Sequence, residues 1–390
     1  MNSFNFYVPT KVIFGRGCAR SIGEILSKNR VNTALVITDN GVRKASCVAR
    51  IISVLDDTGI VYDIYDGVMQ NPREENVFEA LEMLNKHKHE AIVAVGGGSV
   101  IDTAKATLAI LKENCDIHEL YHREVAGTAP LPLIAIPTTA GTGSEVTRSA
   151  VITDARAKVK ETIRGDALYP KVALVDPELT ISLPKSITAY TGMDALTHAL
   201  EAYISKNAHV MSDALAVEAI KLIMKNLKNA VYDGKNIEAR SCMIAASTLA
   251  GMAFSISGLG MVHAMAEPLG GRFNIPHGVA NSVLLPYCLE FNCEAVAEKL
   301  VALAKMIDLY SNNHGDPPPV QIAMGVVHSV RSLSSEIGIP HRLDNLEISD
   351  EEIRALIDDA SRNGCLAANP RRVDRSDLER IFRMVLNAKS

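Results

Sequence analysis

The chain has 390 residues, is 47% hydrophobic and 22% charged, and is therefore an ordinary globular sequence long enough for two domains with separate cores. A formal net charge of −5 leaves no electrostatic case for nucleic acid or an anionic membrane as partner. Seven scattered cysteines without a C-x-x-C pair point to reduced thiols and a cytoplasmic setting, and the start MNSFNFYVPTKVIFGRG lacks the basic and apolar regions of a secretory signal.

Residues 11–14 (KVIF) read as a short strand within a β-rich N-terminal segment, 4–14. Gly15-x-Gly17 invites a dinucleotide fingerprint, but Arg20 stands where the third glycine belongs, so a turn is expected. Residues 33–39 (TALVITD) read as a buried strand ending in Asp39. A carboxylate there can hydrogen-bond an adenosine ribose 2′-OH and repel a 2′-phosphate, or simply cap a helix. A helix over about 44–57, a strand over 60–64 and a loop at Asn71-Pro72 follow.

AIVAVGGGSVIDTAKA (91–106) carries the strongest phosphate signal. An apolar strand enters three glycines, and a helix then starts near Ser99. Glycines let backbone approach a pyrophosphate, and a helix N-terminus offers free N–H groups. LPLIAIPTTAGTGSEVT (131–147) is a further buried strand leaving into a Thr/Gly/Ser loop, and 150–163 alternates like a hairpin. By residue type alone, Lys160 in that hairpin is a solvated surface lysine. The last strand is expected at 172–179. From Pro184 helical periodicity replaces strands, which divides the chain into 1–183, α/β, and 184–390, helical. The uncharged run between Arg240 and His263 is long enough to span a bilayer, but its many small residues favour a helix packed inside a helical domain. His314 to Pro319 marks a loop, Ser349 to Glu352 a capping box, and Asn369-Pro370-Arg371 a break between the final helices.

Asp194 and His198 lie four apart in a helical pattern and so share one face. His263 sits near the end of the apolar run, and His277, between Pro276 and Gly278, in a loop-like stretch. One carboxylate and three imidazoles suit Fe2+ or Zn2+. Spacing alone equally allows an Asp–His surface pair and two unrelated histidines.

The run Pro184, Asp194, His198, Glu201, followed by GMxF, GLGxVHA, PLGG and FNIPHG, resembles the iron-containing (group III) alcohol dehydrogenase family over roughly residue 4 to the C-terminus. That resemblance implies a Rossmann-like dinucleotide-binding domain joined to an all-α metal-binding domain, the dehydroquinate synthase-like two-domain plan. It implies Asp194, His198, His263 and His277 as metal ligands, with Fe2+ the default and Zn2+ an alternative. It further implies NAD, rather than NADP, contacted by Asp39, Asn71, Gly97, Gly98, Ser99, Asp102, Thr138, Thr139, Thr142, Thr147 and Lys160. The implied reaction is reversible hydride transfer between a small primary alcohol or diol and the nicotinamide, the cation stabilising the alkoxide. Ser149, Phe254, Leu259 and Cys365 fall in stretches that line the substrate pocket of similar proteins.

One position departs from the family pattern: Glu267 stands where many members have a histidine, one helical turn after His263. It is expected in the site as a proton relay, a partner for a substrate hydroxyl or amine, or a structural acid. The N-terminal segment could pair with its copy across a two-fold axis, giving a homodimer or higher homo-oligomer. The alternatives are a glycerol-dehydrogenase-like enzyme and a non-catalytic NAD- or metal-binding subunit.

Overall fold

A computed structural model describes residues 3–311 and 317–388. The N-terminal half alternates strands and helices: β1 (Lys11–Phe14), α1 (Ile22–Lys28), β2 (Thr33–Ile37), α2 (Asn40–Lys44), α3 (Ser46–Asp57), β3 (Val61–Tyr65), α4 (Glu74–His87), β4 (Ala91–Gly96), α5 (Gly98–Glu113), α6 (Ile117–Leu120) and β5 (Leu133–Pro137). An antiparallel hairpin, β6 (Ser149–Asp154) and β7 (Val159–Arg164), precedes β8 (Val172–Val175). Six strands form one parallel sheet in the order β1-β8-β5-β4-β2-β3. Its central strands AIVAVG and LIAIP are buried throughout, because helices cover both faces. Such a sheet binds ligands at the carboxyl ends of its strands.

The Gly15–Gly17 turn is closed by the chain itself. The Asp176 carboxylate accepts from the Gly17 and Ala19 N–H groups at 3.0 and 3.2 Å, so these amides are not free for a phosphate. β8 stops earlier than the expected 179, since Pro177 has no N–H to extend the ladder and opens a single 3-10 turn. Residues 4–10 form no strand; only β1 pairs, at one edge of the sheet.

The C-terminal half is helical: α7 (Lys185–Ile204), α8 (Val210–Tyr232), α9 (Ile237–Ser257), α10 (Met261–Phe273), α11 (His277–Asn292), α12 (Ala297–Met306), α13 (Pro319–Glu336), α14 (Asp350–Arg362) and α15 (Arg375–Val385). One addition is a two-stranded parallel ribbon, β9 (Leu343–Ile348) with β10 (Leu386–Ala388). α7 is buried along nearly its whole length among α8, α9 and α11. Each large aliphatic it buries contributes about 1.5–3 kcal/mol. α9, the helix long and apolar enough to cross a membrane, packs against α7 and α8 and is mostly buried. The Ser349 side chain and Glu352 cap α14 reciprocally, as the capping-box pattern predicts. His314 to Asp316 of the expected 314–319 loop lie outside the described residues.

Two close approaches join the halves. Gly143 (φ 61°) abuts Gly251 of α9, and a Cβ on it would meet the Gly251 Cα at 2.6 Å. A Cβ on Gly271 of α10 would meet the Lys158 carbonyl oxygen of the hairpin at 2.6 Å, so a side chain there would push the hairpin away. Both positions require glycine because backbone packs where a side chain would stand.

Candidate metal centre and cofactor cleft

Three helices bring the predicted quartet together. α7 presents Asp194 and His198 from one face, the first turn of α10 supplies His263, and His277 is the first residue of α11. His277 is thus helical rather than in a loop: Pro276 caps α11 with the fixed φ suited to a helix start. One ligand atom from each of the four lies within 4.8 Å of the others. Asp194, His198 and His263 are buried and His277 is half-buried.

The surroundings fix which nitrogen each imidazole presents. His263 Nδ1 is 2.5 Å from Glu201 Oε2, and the other Glu201 oxygen accepts from the Val262 N–H at 2.7 Å. His198 Nδ1 faces the Gly141 carbonyl at 3.2 Å. Donation from both Nδ1 atoms leaves both Nε2 lone pairs turned inward, the usual arrangement behind metal-ligating histidines. Those Nε2 atoms are 3.0 Å apart, a repulsive approach unless a proton or a cation lies between them. Asn281 Nδ2 bonds Asp194 Oδ1 at 2.6 Å and lies 3.1 and 3.0 Å from His263 and His277 Nε2. An amide donor is thus drawn to the same set of acceptors that a cation would use.

Burial pushes His198 down to about 4 despite the Asp194 charge, and it pushes His277 well below the ordinary imidazole value. Burial would raise Asp194, but the three imidazoles hold it below the usual carboxylate range. At His263 burial is overridden by Glu201, which raises the imidazole. One carboxylate, with imidazoles mostly neutral near pH 7, is a donor set that fits Fe2+ or Zn2+ and leaves net positive charge on a divalent ion.

A cavity of about 430 Å³ runs from this cluster to the carboxyl end of β4. Asn71, Gly98, Ser99, Asp102, Thr142, Thr147, Ser149 and Lys160 line it from the α/β side. His198, Phe254, Leu259, His263, Glu267, His277 and Cys365 line it from the helical side. Five other candidates, Asp39, Gly97, Thr138, Thr139 and Asp194, lie outside its lining. Gly97 caps α5, packed against Thr139. Thr138 bonds the Gly96 carbonyl through its N–H, while its buried hydroxyl has no hydrogen-bond partner among the described residues. Asp39 stands beyond the end of β2 and accepts from the Val42 N–H at 2.9 Å, a helix cap. Asp194 lies behind the imidazoles.

Several candidates are held by a buried network that sequence reasoning did not anticipate. Lys105, on α5 and fully buried, donates to the Ser144 hydroxyl at 3.0 Å and to both the hydroxyl and the carbonyl of Thr147 at 2.9 Å. Its fourth acceptor is the Ser149 carbonyl, also at 2.9 Å. Asp102 accepts from the Ser144 hydroxyl at 2.6 Å and the Val151 N–H at 3.0 Å. Asp102 and Thr147 therefore tie the 142–149 loop and the hairpin to α5. Burial pushes Lys105 down to about 8, and it raises Asp102.

At the helical end, Phe254 stacks on His198 with ring centroids 4.5 Å apart. Glu267 accepts from the Asn363 amide. Lys160 is half-buried here, not a solvated surface residue, and burial lowers its ammonium. Beyond Lys160 and Glu267 the cavity meets a second opening walled by β7, Pro268 and the end of α14. Asn71 reaches across from the α/β side, its amide donating to Asn274 Oδ1 at 2.9 Å. Glu201 and Asn281, which no spacing argument assigned, had one signal each: Glu201 follows His198 by three residues on α7, and Asn281 follows His277 by four on α11.

Residues 9–177 match the iron-containing alcohol dehydrogenase family, and residues 188–386 match the C-terminal part of the Fe-containing alcohol dehydrogenase family. The chain is 39% identical over 382 residues to the 1,3-propanediol dehydrogenase of Citrobacter freundii, covering 97% of this chain and 98% of that one. A crystal structure of a 1,3-propanediol oxidoreductase superposes with a TM-score of 0.93 at 39% identity, covering 98% of this chain and 100% of that one. A sulfoacetaldehyde reductase from Bifidobacterium kashiwanohense, solved in complex with NAD+, superposes with a TM-score of 0.87 at 32% identity, covering 99% of each chain. With both halves matched and the fold shared from end to end, the chain belongs to the iron-containing alcohol dehydrogenase family.

Proposed function

We propose that this metal-dependent, NAD-linked alcohol dehydrogenase acts on small primary alcohols or diols and on the matching aldehydes. The observation that carries this reading is the convergence of Asp194, His198, His263 and His277 at one end of a cleft whose other end is the helix N-terminus after the glycine turn. When bound, NAD supplies the hydride acceptor and a divalent cation, Fe2+ by default with Zn2+ the alternative, supplies charge that polarises a substrate oxygen.

The chain's own residues do the rest. Asp194 and the three imidazoles would hold the cation, with Glu201 and the Gly141 carbonyl keeping His263 and His198 in the correct tautomer. The Gly98–Ser99 amides, at the positive end of α5, would receive a diphosphate, flanked by Gly97, Thr138, Thr139 and Thr142. Asn71 and Lys160, which line the cleft, would contact the ribose and nicotinamide portions, and the Asp39 carboxylate at the end of β2 would meet the adenosine ribose and favour NAD over NADP. Phe254, Leu259 and Cys365 give the substrate end an apolar wall that excludes water, and Ser149, Asp102 and Thr147 shape the opposite wall. Glu267, oriented by Asn363, would accept a hydrogen bond from a second hydroxyl, which supports diols over simple alcohols.

The division at 183/184 is supported by the last strand of the large sheet ending at Val175 and α7 beginning at Lys185. A homodimer built on the exposed β1 edge, and a cytoplasmic location, complete the proposal. The test is anaerobic reconstitution with Fe2+ and an NADH-oxidation assay with a panel of C2–C4 aldehydes and hydroxyaldehydes. Turnover that disappears on chelation and in His263→Ala is expected; a metal-loaded protein with no turnover across the panel would overturn the proposal.

A further inference from the structure

A second cluster of ligand-type side chains lies at the opposite end of the sheet from the cleft. Asp63 is in the middle of the edge strand β3, His87 is the last residue of α4, and His89 precedes β4. Between the two histidines Lys88 takes a left-handed conformation (φ 53°), which turns the chain sharply enough to bring both rings to one carboxylate. His89 Nε2 is 2.9 Å from Asp63 Oδ2, and His87 Nδ1 contacts the same oxygen. The ring centroids are 5.8 Å apart, tilted by 49°.

His89 provides the independent observation. Its side chain is 2% exposed, yet neither ring nitrogen makes a hydrogen bond to the described residues. Its Nε2 meets Asp63 Oδ2 as an ion-pair contact, and its Nδ1 has no partner among the described residues. A buried imidazole nitrogen without a partner is destabilising, and coordination would recover that loss. His87 and Asp63 are partly exposed, so solvent can complete a coordination shell.

We propose that Asp63, His87 and His89 form a second divalent-metal site, of the borderline class typified by Zn2+, that clamps the end of α4 to the edge strand. Two imidazoles and one carboxylate with an open position are a recurrent donor set for such ions. The cluster sits at the amino ends of the strands, whereas the cleft opens at their carboxyl ends, so the ion would stabilise the fold without entering the reaction.

The test uses the iron-loaded enzyme. Wild-type protein, His87→Gln and Asp63→Asn are each equilibrated with micromolar Zn2+, desalted, and assayed for total iron plus zinc per chain. His87 is exposed and Asp63 half-exposed, so neither change removes core packing, and NADH-dependent turnover checks that each variant is folded. Wild type is expected to retain one more ion per chain than either variant, with turnover equal in all three and a Zn2+-dependent rise in melting temperature in wild type alone. Equal ion counts in wild type and both variants would overturn the proposal.

Discussion

His198 and His263 point their Nε2 atoms at each other across 3.0 Å while Gly141 and Glu201 occupy their Nδ1 atoms. Two inward lone pairs at that distance need a positive charge between or beside them. Glu201 is what turns His263, and it is fully enclosed with both oxygens engaged. Glu201→Gln keeps the shape but replaces a charged acceptor. Metal affinity, measured by competition with a chromophoric chelator, should fall roughly 10–100-fold; an unchanged affinity would mean that His263 is oriented by packing alone.

Glu267 is the acid that lines the substrate end. If it receives a second substrate hydroxyl, Glu267→Gln should lower kcat/KM for a diol by roughly tenfold while leaving a simple alcohol of equal length little changed. Parallel losses for both substrates, with a shifted pH–rate profile, would assign Glu267 to proton relay instead.

Asp39 caps α2 at the end of β2 and does not line the cavity. Its proposed second role is read out by cofactor choice. Asp39→Gly should narrow the preference for NAD over NADP by roughly tenfold or more through removal of charge repulsion with the 2′-phosphate. A preference ratio equal to wild type would leave Asp39 as a helix cap only.

Lys105 binds the 142–149 loop to α5 through four acceptors. Lys105→Met removes one member of a buried charged network and should cost about 3–5 kcal/mol, measured by urea unfolding. The pH dependence has a definite sign. Burial holds folded Lys105 at about 8 against an ordinary 10.5, so between those values the unfolded chain carries a proton that the folded chain has released. Unfolding then takes up a proton, and stability from this group rises with pH through that window. The stability difference between wild type and Lys105→Met should therefore increase from pH 8 to pH 10; a difference that shrinks would reverse the assignment.

The elements that form the large sheet were readable because buried parallel strands are near-continuous apolar runs, and AIVAVG running into glycines and then a helix has few other meanings. Asp194 and His198 were readable as a pair because helical spacing fixes a shared face. What lies behind a ligand was not. Glu201 stood in the same motif without an assigned role, because nothing local tells which loop or helix its carboxylate will meet. Flanking Pro276 and Gly278 make His277 look like a loop residue, although proline also precedes helices. Lys160 looked like a surface lysine in an alternating hairpin. It is enclosed because Gly271, more than a hundred residues later, has no side chain to hold the hairpin backbone off α10, and Gly270 beside it leaves room for the lysine itself. Lys105 was missed for the same reason: its acceptors lie in a loop that only the tertiary fold brings to α5.

Diffraction from crystals of the iron-loaded protein soaked with NAD, recorded on both sides of the iron edge, gives the most direct test. One strong anomalous peak should be bonded to Asp194, His198, His263 and His277, with the nicotinamide facing it and the diphosphate on the Gly98–Ser99 amides. An iron peak elsewhere, with those four side chains still bonded only to one another and to Asn281, would contradict the proposed centre.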